Sequence, residues 1–186
     1  MKIYTKKGDD GSTGLFYGGR VAKDATGPAA YGTVDEAVSA LGMARAIALD
    51  AAPDLAITLL ELQRALFVVG AELATNPESH DKLEDGVSRV TSEMVANLEV
   101  AIDDIVDARG MPTEFVVPGG NALAAAIDVA RSVVRRAERK SVTHVREAGI
   151  AGSDVVPYLN RLADLLYMLA RAAEDSWTPT RQEDGR

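Results

Sequence analysis

The chain has 186 residues, 47% of them hydrophobic, with a formal net charge of −8 and no cysteine. This length supports one well-buried core. The negative net charge argues against a nucleic-acid partner. The lack of cysteine excludes disulfides, thiolate nucleophiles and cysteine-ligated metal sites. No apolar run approaches the roughly 20 residues that span a bilayer, and the first ten residues, MKIYTKKGDD, lack a signal-peptide core, so we expect a cytoplasmic protein without a membrane partner.

The first 32 residues, which we call the N-terminal arm, show no apolar period. They are rich in glycine, hydroxyl groups and charge, as in TKKGDDGSTG over residues 5–14. Glycines let backbone N–H groups converge on an anion, and nearby lysines and hydroxyls can add donors. A plain flexible arm has the same composition. The segment lacks the G-x-x-x-x-G-K-[ST] spacing and a surrounding βαβ pattern, which excludes an ordinary P-loop NTPase.

After the arm, five stretches place apolar residues at three- and four-residue spacing, which predicts five helices. The expected ranges are 34–49, 55–75, 91–108, 121–148 and 154–175, with a polar loop, ESHDKLEDG, after the second. Thr33 and Glu36 form a capping-box pattern at the first helix, and Pro157 fits the first turn of the fifth. The sequence therefore predicts an all-α fold: a five-helix antiparallel bundle over residues 33–175, one domain with the arm, followed by a disordered tail over 176–186.

The fourth predicted helix carries RSVVRRAER over residues 131–139. Residues four apart share a helix face, so Arg131, Arg135 and Arg139 form one cationic edge with Glu138 beside it. Guanidinium is a planar, permanently charged fork of donors, which suits a polyphosphate. A solvated helix face could carry the same edge.

The fifth predicted helix carries polar residues among leucines. Asn160 lies between Leu159 and Leu162, where an amide needs a hydrogen-bond partner if it is buried. Asp164 and Arg171 follow at helical spacing. We interpret these two as structural ion-pair partners rather than catalysts.

Five blocks of the sequence, in order, resemble the signature of the PduO-type ATP:cob(I)alamin adenosyltransferases. They are TKKGDDGSTGL (5–15), YGTVDE (31–36), FVVPGG (115–120), RSVVRRAER (131–139) and YLNRLADLLY (158–167). Five blocks at the family's spacing are highly specific, and the resemblance extends over residues 3–174. It implies a homotrimer with active sites between neighbouring subunits. Its reaction moves the 5′-deoxyadenosyl group of ATP to the cobalt of cob(I)alamin and releases triphosphate.

That reaction accounts for the types of residue present. Cobalt in the +1 state is itself the nucleophile that attacks C5′, so no serine, cysteine or histidine nucleophile is needed. The protein must hold C5′ in line with cobalt and stabilise the negative charge on the leaving triphosphate. Arginines, a lysine-bearing glycine loop and Mg²⁺ on the phosphates suit the second task. His80 and His144 lie far apart in sequence, and we expect neither to hold a metal.

The resemblance also implies roles for individual residues. The ATP contacts are Thr5, Lys6, Gly8, Thr13, Lys23, Arg135, Glu138, Arg139 and Asn160. On the cobalamin side, Asp35 pairs with Arg131 across the subunit interface. Phe115 stands against the lower face of the corrin and displaces the axial ligand, which makes four-coordinate cobalt(II) easier to reduce. From the residues alone, Asp35 could instead be a helix N-terminal anion and Phe115 an ordinary core residue.

The chain departs from the family's pattern at three positions. Lys7 stands where threonine is usual, Ala163 where serine is common and Asp128 where histidine is frequent. None of these changes removes a residue with an implied chemical role. Lys7 adds a charge near the phosphates and removes a hydroxyl.

Other functional classes fit less well. A cobalamin-dependent mutase or methyltransferase would carry a D-x-H-x-x-G segment in an α/β domain, and the sequence has neither. A non-catalytic helical adaptor or a nucleotide-binding regulatory bundle remains the alternative, although it leaves the cationic edge without a ligand. For the enzyme, the implied protein partners are a cobalamin reductase and an adenosylcobalamin-dependent enzyme.

Overall fold

The computed structural model describes residues 3–181, and within them the fold is mostly helical, as the sequence predicts. The α-helices are α1 (Thr26–Ala51), α2 (Pro53–Leu73), α3 (Ser92–Arg109), α4 (Ala122–Glu147) and α5 (Val155–Ala172), with a 3₁₀ helix at Pro77–Lys82 and two short strands, β1 (Ser12–Gly14) and β2 (Arg20–Ala22). The 3₁₀ helix lies in the segment expected to be a polar loop. None of the helices in this range is long and apolar enough to cross a membrane.

The first helix begins at Thr26, before the predicted start at Val34, and the capping-box prediction is wrong. Thr33 lies inside α1, where its hydroxyl donates to the carbonyl of Ala29 at 2.7 Å. The sequence predicts that residues 26–32 belong to the N-terminal arm, but tertiary packing overrides the weak helix propensity of the glycines there. Gly27 faces the ring of His144, and a Cβ at this glycine would lie 3.1 Å from Cε1 of that ring.

The helices pack so that α1 contacts α2 and α4, and α5 contacts α4 and α3. Leucines of α1, α2 and α5 fill the centre, including the fully buried Leu41, Leu59 and Leu166. Burying such a side chain contributes about 1.5–3 kcal/mol. The two helices α1 and α4, which contact each other, also bury several alanines completely. Fully buried alanines lie on both helices: Ala30, Ala37 and Ala44 on α1, and Ala130 and Ala137 on α4.

Side-chain caps define the starts of α3 and α4. Thr91 accepts the backbone N–H of Met94 at 3.3 Å, and Asn121 accepts that of Ala124 at 2.9 Å. Each bond satisfies one of the backbone donors that a helix N-terminus leaves unpaired. The amide of Asn121 also donates to the carbonyl of Ala173 at 2.6 Å, which ties the start of α4 to the end of α5.

Two irregular segments are held against the bundle by backbone hydrogen bonds. Phe16, which follows β1, pairs with the end of α2: its N–H donates to Ala74 at 3.0 Å and its carbonyl accepts from Asn76 at 3.1 Å. Residues 178–180 pair with the segment around Phe115, since Thr180 donates to Phe115 at 2.9 Å and Val117 donates to Thr178 at 2.8 Å. These tail residues belong to the segment expected to be disordered; residues 182–186 lie outside the described range.

Candidate active site

Two of the three arginines on the cationic edge line a cavity between α3, α4 and α5. The cavity has a volume of about 580 Å³, and we call it the arginine cavity. Its charged lining residues are Glu99, Asp103, Arg131, Arg135, Arg161 and Asp164. Arg161 bonds Glu99 at 3.0 Å and Asp164 at 2.8 Å, and the bond to Glu99 is the main cause that raises the pKa of Arg161. Arg135 and Arg139 are solvent-exposed and have no ion pair among residues 3–181.

A hydrogen bond links two of the predicted ATP residues on neighbouring helices. The amide nitrogen of Asn160 on α5 donates to Oε1 of Glu138 on α4 at 3.1 Å. Asn160 is exposed, so this amide does not need its partner to avoid a burial penalty. The bond instead fixes the Glu138 carboxylate relative to α5, next to the arginine edge.

The arm brings three other predicted ATP residues together. Thr13 pairs with Val21 in the β1–β2 hairpin, and the N–H of Lys23 donates to Gly11 at 2.9 Å. Gly8 faces the ammonium of Lys23: a Cβ at Gly8 would lie 3.2 Å from Nζ and 3.1 Å from the carbonyl oxygen of Ser12. The hairpin and the close approach of Gly8 therefore place a lysine beside a turn without side-chain bulk, the kind of backbone that can approach phosphate.

The turn before β1 is ordered by side chains that the sequence analysis did not select. Arg20 donates to the carbonyl of Lys7 at 2.6 Å and, through Nε, to the Ser12 hydroxyl at 3.0 Å. The backbone N–H of Ser12 bonds Asp10 at 2.9 Å and holds the pKa of this carboxyl below its ordinary value. The only sequence signal for Arg20 was its place after Gly18-Gly19. At the start of the turn, Lys6 has φ 60°, and the Thr5 hydroxyl accepts from Lys7 at 3.4 Å.

Within the described residues of one chain, the arm is not bonded to the arginine edge. Among residues 3–181, no hydrogen bond or ion pair joins Thr5, Lys6, Gly8, Thr13 or Lys23 to Arg135, Arg139 or Asn160. The arm instead packs at the end of α2, as the backbone pairing of Phe16 shows. Within the described part of one chain, the predicted ATP residues of the arm and those of the arginine edge are therefore not bonded to each other.

Asp35 and Arg131 are also separate within one chain. Asp35 lines a cavity of about 540 Å³ with Phe16, Tyr31 and Phe67, and this cavity includes no arginine. Arg131 pairs with Asp128 at 3.0 Å. Asp35 lies well inside α1, so its interpretation as a helix N-terminal anion is wrong.

Phe115 is not a core residue of the chain, which corrects the alternative interpretation of this position. Its side chain is 84% exposed, although its backbone is fixed by the bond from Thr180. An aromatic ring this exposed on a pinned extended segment is available to a ligand or a neighbouring chain.

Comparisons with known proteins agree on one family. The family model described as Cobalamin adenosyltransferase matches residues 3–173. A corrinoid adenosyltransferase of Citrobacter freundii is 39% identical over 173 residues, which cover 93% of this chain and 95% of that protein. The corrinoid adenosyltransferase PduO of Salmonella typhimurium is 42% identical over 178 residues, which cover 95% of this chain and 50% of that protein.

Solved structures give the same result. A variant of the PduO-type ATP:corrinoid adenosyltransferase from Lactobacillus reuteri, complexed with cobalamin and ATP, superposes with a TM-score of 0.88 at 33% identity. The match covers 97% of this chain and 100% of that one. Another variant of that enzyme, complexed with ATP, superposes with a TM-score of 0.85, also at 33% identity, and covers 96% and 100% of the two chains. The chain described here therefore belongs to the cobalamin adenosyltransferase family.

Proposed function

We propose that the chain transfers the 5′-deoxyadenosyl group of ATP to the cobalt of cob(I)alamin, forming adenosylcobalamin and releasing triphosphate. The observation that carries this proposal is the superposition, over nearly the whole chain, on a family member complexed with cobalamin and ATP. Reduced cobalt supplies the electron pair that attacks C5′. The residues of the chain therefore need only bind and orient the two substrates and neutralise the charge on the triphosphate.

The arm and the arginine edge have the chemistry to bind the triphosphate. Lys23 and the turn at Gly8 offer an ammonium and backbone donors, while Arg135 and Arg139 offer exposed guanidiniums without an internal ion pair. Charge-assisted donors aimed at the phosphates stabilise the charge that grows as triphosphate leaves. Mg²⁺ on the phosphates would neutralise part of that charge; among residues 3–181 no cluster of three or more His, Asp or Glu side chains could hold a metal.

The two groups of ATP residues would meet between subunits of a homotrimer. Among the described residues of one chain no bond links the arm to Arg135, and Asp35 and Arg131 line different cavities. Beside Asp35, Phe16 is 55% exposed and Phe67 is 66% exposed, which gives an apolar surface with a carboxylate at its edge. Such a surface suits a neighbouring chain. Asp35 of one subunit would then pair with Arg131 of the next and hold the corrin side of the site in shape.

Phe115 would act on the corrin from below. Its exposed ring can fill the volume under the macrocycle and exclude water and the axial base, which favours four-coordinate cobalt(II) and its reduction. We extend the proposal to a single domain over residues 1–175 in a cytoplasmic protein. It would receive reduced corrinoid with the help of a cobalamin reductase and supply an adenosylcobalamin-dependent enzyme.

The decisive experiment is a spectrophotometric assay that follows cob(I)alamin to adenosylcobalamin in the presence of ATP and Mg²⁺. We expect complete conversion that depends on ATP. A parallel thermal-shift measurement separates the enzyme from a helical adaptor, because a ligand at 100 times its Kd stabilises the folded state by about 2.7 kcal/mol. No conversion and no shift with ATP would favour the adaptor. A shift without conversion would favour the nucleotide-binding regulatory bundle.

A further inference from the structure

One buried carboxylate bridges two arginines beside the arginine cavity. Asp128 on α4 is 5% exposed. Its Oδ1 accepts from Nε of Arg131 at 3.0 Å, and its Oδ2 accepts from Nη2 of Arg171 on α5. Both guanidiniums lie near the ring of Tyr167, at 6.0 Å for Arg131 and 5.4 Å for Arg171. We call this arrangement the Asp128 bridge.

The inner half of the bridge is fixed by the protein interior. Arg171 is 1% exposed, and its Nε lies 3.4 Å from Oε2 of the equally buried Glu174. The other carboxylate oxygen of Glu174 accepts the N–H of Gly120 at 2.9 Å. Arg171 thus faces two buried carboxylates, those of Asp128 and Glu174. Because removing one partner of a buried ion pair is strongly destabilising, Arg171 holds the Asp128 carboxylate in place.

The outer half of the bridge leaves the terminal amino groups of Arg131 available to the corrin side of the site, including Asp35 of a neighbouring subunit. Arg131 bonds Asp128 through Nε alone, so among the described residues its two terminal amino groups have no hydrogen-bond partner. Arg131 lines the arginine cavity with Arg135. A long side chain that is already anchored loses less rotamer freedom when it binds, which favours binding.

We propose that Asp128 is a positioning residue that orients Arg131 towards the corrinoid, with Arg171 as its buried counter-cation. This inference rests on the proposed function. A carboxylate suits this role because its two oxygens accept from the two arginines. A neutral imidazole has one acceptor nitrogen and cannot accept from both arginines.

The first test is the Asp128→Asn variant, with Asp85→Asn as the matched control. Asp85 also pairs with an arginine, Arg89 at 3.8 Å, but this pair is exposed and lies outside the arginine cavity. Steady-state rates are measured against cob(I)alamin at saturating ATP and against ATP at saturating cob(I)alamin. For Asp128→Asn, we expect the KM for cob(I)alamin to rise about tenfold and the KM for ATP to stay within about twofold. The control should change neither.

A second variant covers the case in which Asp128→Asn fails to fold because Arg171 is left buried with less compensation. The triple variant Asp128→Asn, Arg171→Met, Glu174→Gln removes the three buried charges together, so that neither Arg171 nor Glu174 is left buried without its partner, and such replacements are often neutral for stability. Its melting temperature should stay near that of the wild type, and it should show the same rise in the KM for cob(I)alamin.

The final test is whether Asp128 acts through Arg131. In an Arg131→Ala background, adding Asp128→Asn should change the KM for cob(I)alamin by less than about twofold, because the group it positions is gone. If instead the increases in the KM for cob(I)alamin caused by the two substitutions multiply in the double variant, the inference is overturned. Equal rises in both KM values, or no rise in folded variants, would also overturn it. A wild-type protein that makes no adenosylcobalamin would refute the proposed function itself, a result distinct from all of these.

Discussion

Replacing Phe115 with alanine should remove most of the reduction of cobalt(II) to cobalt(I) on the enzyme, while the protein stays folded. The side chain is 84% exposed, so about one sixth of its area is buried. A phenylalanine offers about 200 Å² in total, which leaves roughly 30 Å² buried; at about 25 cal/mol per Å² its loss costs less than about 1 kcal/mol. Folded domains are typically stable by about 5–15 kcal/mol, so a loss of this size leaves nearly all molecules folded. Lower stability of a folded variant therefore cannot account for a large loss of turnover.

The assay separates reduction from transfer. With cob(II)alamin and a reductant, Phe115→Ala should retain less than about one tenth of the wild-type rate, while with pre-reduced cob(I)alamin it should lose much less. Electron paramagnetic resonance of the cobalt(II)-loaded protein with ATP should show a smaller four-coordinate fraction. Val87→Ala, at a side chain 66% exposed, serves as the control and should match the wild type. An unchanged four-coordinate fraction, or equal losses with both forms of cobalamin, would refute the axial-ligand reasoning.

Three further predictions concern charge. Arg135→Ala should stay folded and lose roughly 10²- to 10³-fold in turnover, because it removes a donor from the leaving triphosphate; a folded variant with more than half of the activity would show that Arg135 does not contact phosphate. Asp35→Asn should raise the KM for cob(I)alamin and leave the ATP-induced thermal shift unchanged. The exchange Asp35→Arg with Arg131→Asp should restore part of the lost activity. Light scattering that shows a stable monomer would refute a site shared between subunits. Burial, with the charge of His80, lowers the pKa of His144 below 6.5. The unfolded chain then binds a proton that the folded chain does not, so the free energy of unfolding falls as the pH drops below 6.5. His144→Gln should make the free energy of unfolding, measured by urea titration, depend less on pH between about pH 5 and 7.

The sequence predicted the helices where local signals agree with packing. Apolar periodicity places α3 and α4 within a residue or two of their observed starts, where Thr91 and Asn121 cap the two helices. The start of α1 could not be predicted in this way. Its first turn is helical because Gly27 admits the ring of His144, a contact between residues more than a hundred positions apart.

The candidate site was predictable as a set of residues but not as an arrangement. The exposed position of Phe115 and the hairpin that joins Gly8 to Lys23 depend on tertiary contacts that periodicity does not encode. The Asp128 bridge was missed for the same reason, although Arg171 within the apolar stripe of α5 was a signal. An arginine among buried leucines requires a buried carboxylate, and the facing helix supplies Asp128.

The fully buried alanines of α1 and α4 affect how this protein can be engineered. Asp35 is carried by one of these helices and the arginine edge by the other, and methyl groups such as those of Ala37 and Ala137 are fully buried between elements. These small side chains act as spacers that set how far apart two chemically important faces lie. Core-filling substitutions, a common route to thermostability, would therefore widen this spacing and shift side chains that the substitutions never touch. Stabilising designs should leave these alanines unchanged and work on the leucine-rich centre or the exposed surface.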